Sequence, residues 1–229
     1  MKYIQKNGCP YEYTRWCTEV AGTSKEDFNE IPSREKQILL DALIAEQGSI
    51  CGYTMKRIDT DTAHIEHIKP QSLCRRERLG SDLNYGNLIA CYPRVGMNAR
   101  YRYGAQKKDD WWENGGKMFI SPLNSGCESR FRFDSKGIIT ALNVAGANTI
   151  NVLALDHESL TEDRKSVIEE FIYGSDLSKA EAARAISNIC EQNGEGQYYV
   201  FCIAIRDALK QYLSFLENIR SKRLAPRRS

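Results

Sequence analysis

Apolar positions along this chain change period several times, and each change marks an element. After Pro32-Ser33, the residues Ile38, Leu39, Ala42, Leu43 and Ala45 recur at helical spacing until Gly48, which predicts one helix. The pattern then shortens. Ile50-Cys51-Gly52-Tyr53-Thr54 and Ala63-His64-Ile65-Glu66-His67-Ile68 are brief and bounded by turn residues, so the second phrase is expected on or just after a strand. Lys69 to Asn87 reads as a long polar loop, a length that in a compact domain usually signals function. Leu88-Ile89-Ala90-Cys91 opens either a helix or a strand.

Further on, Arg130-Phe131-Arg132-Phe133-Asp134 alternates, Ser135-Lys136-Gly137 turns, and Ile138 to Leu142 resumes, which predicts a hairpin. Ser159 with Glu162 and Ser178 with Glu181 each fit a capping box ahead of helical spacing. A last helical pattern runs from Phe201 through Ile205, Leu209, Tyr212, Leu213 and Leu216 to Ile219. The expected fold class is therefore α+β, with three C-terminal helices covering a small sheet. It divides into an N-terminal segment and helix (1–48), a compact module (49–112), and a hairpin with a helical region (113–229) packed against the module. There is no internal repeat.

With 229 residues and 41% of them apolar, the chain can build a real core, and a net charge of +2 is too small to diagnose a nucleic-acid binder. The distribution of charge says more. Basic residues gather at Arg75, Arg76 and Arg78, at Arg94, Arg100, Arg102, Lys107 and Lys108, and in the tail from Arg220 to Arg228. The first two groups flank the histidine-rich phrase. Eight cysteines without a compact framework, and a polar start with no signal peptide, predict a reduced, cytoplasmic protein. No apolar run approaches the ~20 residues that cross a bilayer.

Two of the three histidines lie in that one phrase, where Glu66 stands beside His67. Such a pair can hold a divalent metal with one side chain and take a proton from water with the other, the minimum equipment for phosphodiester hydrolysis. Neighbours on a regular strand point to opposite faces, so the two share a target only if the strand ends or bends, and Pro70 follows closely. Asn87 precedes an apolar run as a turn or capping residue would.

Glu66-His67-Ile68-Lys69-Pro70 followed by Asn87-Leu88 resembles the HNH endonucleases, a ββα-metal-like nuclease module. Glu46-Gln47 before Cys51-Gly52-Tyr53, Pro70-Gln71-Ser72, Asn87 to Cys91, Lys107-Lys108 before Trp111, and Leu153-Ala154-Leu155 with Leu160 and Arg164 look like the PtuB-type HNH subunit of Septu-type and retron-associated phage-defence systems. The resemblance implies His67 as general base, Glu66 as a ligand of one Mg²⁺ or Mn²⁺, and Asn87 as a brace for the loop. It implies DNA as substrate and a PtuA-like ATPase of the ABC or SMC type as partner. A retron reverse transcriptase with its RNA/DNA hybrid is a further partner it allows.

The chain departs from that family twice. Thr54 stands where a second cysteine of a Cys-x-x-Cys pair would be, and Tyr103-Gly104-Ala105 replaces the other half, so no structural zinc is expected and Cys51 and Cys91 read as packing residues. Ala105 and Gln106 also occupy the window of the third catalytic element. Gln106 offers a carbonyl oxygen to the metal, and Asp109 or Asp110 offers a carboxylate after a register shift. Lys69, Arg75, Arg76, Arg78, Lys107 and Lys108 are candidates for phosphate contact, against the plain reading of a solvated face. Tyr101, Tyr103, Trp111 and Trp112 either stack on bases or belong to the core. His64 is either a further ligand or phosphate contact, or a structural residue. The competing function is a catalytically weakened HNH fold serving as a nucleic-acid-binding or assembly subunit.

Overall fold

The computed structural model describes residues 1–94, 96–97, 102–174 and 177–224, with side chains to 218. Arg100, Tyr101 and the end of the basic tail lie outside the described residues. The elements in chain order begin with helices α1 (Tyr11–Val20) and α2 (Ser33–Glu46), strand β1 (His64–His67), helix α3 (Gln71–Glu77), strand β2 (Leu88–Cys91) and the single turn of helix α4 (Ala105–Lys108). Strands β3 (Phe131–Phe133) and β4 (Ile139–Ala141) follow, then helices α5 (Val144–Leu153), α6 (Glu158–Ile172), α7 (Lys179–Asn188) and α8 (Cys202–Leu224). Helices with two small sheets make an α+β architecture.

Strands β1 and β2 pair antiparallel, His64 opposite Cys91 and His67 opposite Leu88. All four residues of β2 are buried, so its unbroken apolar run is a core strand rather than a helix. Helix α2 packs on this pair through Leu39, Leu43 and Ile44. Its C-cap residue Gln47 fixes the register: its amide donates to Ala90 O and Ile50 O (2.8 and 2.9 Å), and its Oε1 accepts from Ala90 N at 2.7 Å. One side chain thus does for Ala90 what a third strand would do.

Strands β3 and β4 form the expected hairpin, Phe131 opposite Ala141. Gly137 in its turn has φ +76°, and a Cβ there would meet Thr161 O at 2.5 Å, so only glycine lets the hairpin lie against α6.

Several expectations are corrected. Among the described residues the C-terminal region has four helices, not three. Helix α5, capped by Asn143 accepting from Gly146 N, is rich in small and β-branched residues whose pattern is weak. Helix α1 precedes α2, burying Tyr13, Trp16 and Val20. The supposed loop after Lys69 contains α3, which buries only Cys74 and so leaves no apolar period to read. Ser178 and Glu181 do form a capping box, but α6 begins at Glu158, and the His157 ring, not Ser159, accepts the capping hydrogen bond.

Candidate active site

Strand β1 ends at His67. Ile68 N–H then bonds Asn87 O at 2.9 Å and Pro70 turns the chain into α3, so the strand stops where the two reactive residues stand. Glu66 and His67 consequently line one polar cleft of about 240 Å³, completed by Pro70, Gln71, Ala105, Lys108, Asp109 and Asp110. Asn87 holds the backbone just before Pro70: its Oδ1 accepts from Lys69 N (2.8 Å) and its Nδ2 donates to Lys69 O (2.9 Å), clamping it on both sides.

The His67 ring is buried, with the edge of Phe28 at 4.5 Å between ring centroids, and its Nε2 lies 2.9 Å from Asp82 O. A main-chain carbonyl only accepts, so Nε2 carries the proton and the lone pair of the neutral imidazole is on Nδ1. Burial lowers the His67 pKa below its ordinary value of 6.5; the Asp82 carbonyl and carboxylate oppose this, while Lys108 and Arg75 reinforce it. At neutral pH the ring is an unprotonated base. Asp82 was not singled out in the sequence, because what His67 uses is its backbone. Its buried side chain anchors that backbone by accepting from Phe28 N (3.1 Å), Arg75 Nε (2.9 Å) and Gln71 Nε2 (3.2 Å).

Glu66 faces the buried ammonium of Lys108. Lys108 Nζ sits 2.8 Å from Glu66 Oε1, 3.0 Å from His67 O and 3.3 Å from Asp109 O. Burial pushes the Glu66 carboxyl above its ordinary value, with Lys108 and the Tyr53 hydroxyl pulling it back. Lys108 therefore points inward, away from the solvated face on which a phosphate contact was expected. The chain leaves α4 through Asp109 at φ +47°, ψ −133°, a conformation that L-residues rarely adopt, and Ser72 Oγ donates to Asp110 Oδ2 at 3.2 Å.

The other expected residues distribute as follows. Lys69 pairs with Glu77, and Arg75 with Asp27 and Asp82, so both are engaged within the protein. Arg76, Arg78 and Lys107 are exposed and take part in no ion pair among the described residues. Tyr103 is buried, and Trp111 and Trp112 are half-buried against the core, as structural aromatics are. His64 binds Pro93 O through Nδ1 (2.7 Å), and its Nε2 is 3.9 Å from Glu66 Oε2. Cys51 and Cys91 are buried, with the Cys51 sulfur accepting from Tyr92 N.

No family model matches the chain. It is, however, 30% identical over 158 residues to a protein of Vibrio cholerae serotype O1 biovar El Tor named as a candidate HNH endonuclease of retron Vc95, a match spanning 66% of this chain and 71% of that relative. The chain belongs to the HNH endonuclease family.

HNH proteins are expected to work with a divalent cation, and the donor set in this cleft does not fit one as it stands. Among the described residues no three His, Cys, Asp or Glu side chains lie close enough to hold a metal. The helical period of α4 turns Ala105 and Lys108 to the cleft, and Gln106, roughly 100° round the helix from Ala105, is not among the lining residues, contrary to its expected role as ligand. The charge beside Glu66 is an ammonium, where a metal ligand would offer a lone pair to a cation.

Proposed function

We propose that this chain is an endonuclease that hydrolyses phosphodiester bonds of DNA, acting as the effector subunit of a phage-defence complex in the cytoplasm. The observation that carries this reading is the tautomer imposed on His67 where it lines a polar cleft beside Glu66. Nδ1 is available to take a proton from water, Nε2–H is held by Asp82 O, and the base needs no prior deprotonation at neutral pH. Lys108 cancels the charge of Glu66, so the cleft does not repel an approaching phosphate as a lone carboxylate would. Asn87 fixes the Lys69 backbone that leads into Pro70 on the cleft wall.

Membership of the HNH family and the retron context of the relative support the defence setting. A PtuA-like ATPase of the ABC or SMC type is the proposed partner, and a retron reverse transcriptase with its RNA/DNA hybrid a further one. The donor set of the cleft falls short of a site for Mg²⁺ or Mn²⁺ among the described residues. That shortfall, with Ala105 and Gln106 in the window of the third element and Lys108 on Glu66, favours a second reading: a weakened HNH subunit that binds nucleic acid or organises the complex.

Cleavage separates the two. Supercoiled plasmid is incubated with the purified protein, alone and with its ATPase partner, in Mg²⁺, in Mn²⁺ or in chelator. The nuclease reading expects nicking that falls by about 10²–10⁴-fold in His67→Ala. Equal nicking by wild type and His67→Ala contradicts it.

A further inference from the structure

A second depression adjoins the cleft. It encloses about 410 Å³, within the size range of ordinary ligand sites, and shares Phe28 and Ile65 with the cleft as wall residues. The two follow one another along β1: residues 63–65 border the groove and residues 65–67 the cleft. Strand β1 has a single hydrogen-bonded neighbour, β2, among the described residues.

The groove is basic. Lys36 from α2 and Arg94 line it, both exposed, and none of its described lining residues is a carboxylate. Neither cation takes part in an ion pair among the described residues, whereas Lys69, Arg75 and Lys108 nearer the cleft are all neutralised by acids. Ser33, Gln37 and Thr60 add neutral hydrogen-bonding groups. One ring stands between groove and base: the Lys36 ammonium is 5.0 Å from the centroid of Phe28, and the centroid of the His67 ring is 4.5 Å from the same point.

We infer that this groove binds the nucleic-acid strand next to the scissile phosphate, with Lys36 and Arg94 neutralising flanking phosphates. The inference rests on the nuclease reading, since it is the position of the reacting phosphate over His67 that brings a neighbouring one to Lys36. The ligand is a single strand held through its backbone by the two cations, with Ser33, Gln37 and Thr60 as neutral hydrogen-bonding groups beside it. Both side chains are binding residues and take no part in proton transfer.

The test is fluorescence anisotropy with a labelled single-stranded DNA of about 20 nucleotides, titrated at several salt concentrations between about 50 and 200 mM. It uses the full chain carrying His67→Ala, so that nothing is cleaved, with Lys36→Gln, Arg94→Gln and both together. Each substitution is expected to lower the slope of log affinity against log salt by about 0.7, and the pair to weaken binding about tenfold at the lower salt. Lys136→Gln, in the distant β3–β4 turn, is expected to leave the slope unchanged. Lys36, Arg94 and Lys136 are exposed, and a melting temperature unchanged from that of the His67→Ala parent confirms that the variants fold. An RNA strand of the same sequence, run in parallel, tells which nucleic acid the groove prefers, and loss of either affinity in the double variant supports the inference. A wild-type slope in the double variant, or no binding by the parent protein, overturns it. If the active protein nicks nothing while its oligonucleotide binding depends on Lys36 and Arg94, the hydrolytic reading falls and the groove stands.

Discussion

Two buried cations, one beside each small sheet, show how similar burial serves different ends. Arg164, on α6 next to the β3–β4 hairpin, donates to Leu155 O (2.6 Å), Leu160 O (3.1 Å) and Thr161 Oγ1 (3.1 Å), and lies over the Phe133 ring at 5.3 Å. Its direct partners are neutral, and burial brings its pKa down to about 10. Lys108, beside β1 and β2, spends its charge on a carboxylate that opens to solvent through a cleft. The connections match this division. Residues 134–138 make a tight turn between β3 and β4, whereas residues 68–87, between β1 and β2, carry α3, Asp82 and Asn87. A hairpin that only has to pack uses a short turn and satisfied polar groups. A pair of strands that carries ionisable groups needs a long connection to hold them from the side.

That contrast can be broken experimentally. The largest effect is expected from Arg164→Ala, which leaves Leu155 O without its partner and opens a cavity, at a cost of about 3–4 kcal/mol in urea unfolding. Nicking per folded molecule stays unchanged, and Arg164→Met recovers part of the loss by refilling the volume. Reduced nicking by the folded Arg164 variants would erase the division between the two regions.

Next comes Lys108→Met, which strands the Glu66 carboxylate in a site where only 15% of its side chain is exposed, at a cost of about 3 kcal/mol at neutral pH. The sign with pH follows from linkage. Without Lys108, burial holds the folded-state Glu66 pKa above the ordinary 4.5, so the folded protein binds more protons than the unfolded chain above that value. The deficit therefore shrinks as pH falls towards 4.5, and Glu66→Gln with Lys108→Met removes most of it. A pH-independent deficit would show that Lys108 acts by packing alone.

A smaller drift is expected in the wild type. His64 and His67 both have pKa values lowered mainly by burial from 6.5, so below 6.5 the unfolded chain takes up protons that the folded one does not. Their contribution to stability is complete above 6.5 and is lost as pH falls from there through the folded-state values. Urea midpoints across that window, compared with those of a His64→Asn/His67→Asn variant, isolate it. The smallest effect is a gain: Asp109→Gly relieves a positive φ and raises stability by about 0.5–1 kcal/mol, offset in part by the entropy of glycine.

Much of the arrangement around β1 was legible in the sequence because it is local. Glu66 and His67 are adjacent, Pro70 marks where the strand must stop, and Asn87 stands one residue before an apolar run that has to be buried. The helix from Ser33 and the capping box at Ser178 were readable for the same reason. What escaped depends on contacts distant in sequence or on atoms common to every residue. Asp82 supports His67 through a carbonyl that any residue would supply. Lys108 looked like one of several surface cations until α4 turned it inward. Lys36 sits on the polar side of a helix whose period is set by its apolar face, and only the fold brings it beside Phe28. Helices α3 and α5 bury too little, or residues too small, to announce their period.

The most direct test is the pH dependence of DNA cleavage under kcat/KM conditions, for wild type and His67→Ala, from pH 5 to pH 8, roughly the range in which histidine titrates. The expected result is a rate that climbs with pH to a plateau, with an apparent pKa below 6.5, and a climb and plateau both missing in His67→Ala. Cleavage by His67→Ala at the wild-type rate, with the same profile, would contradict the assignment of His67 as the base.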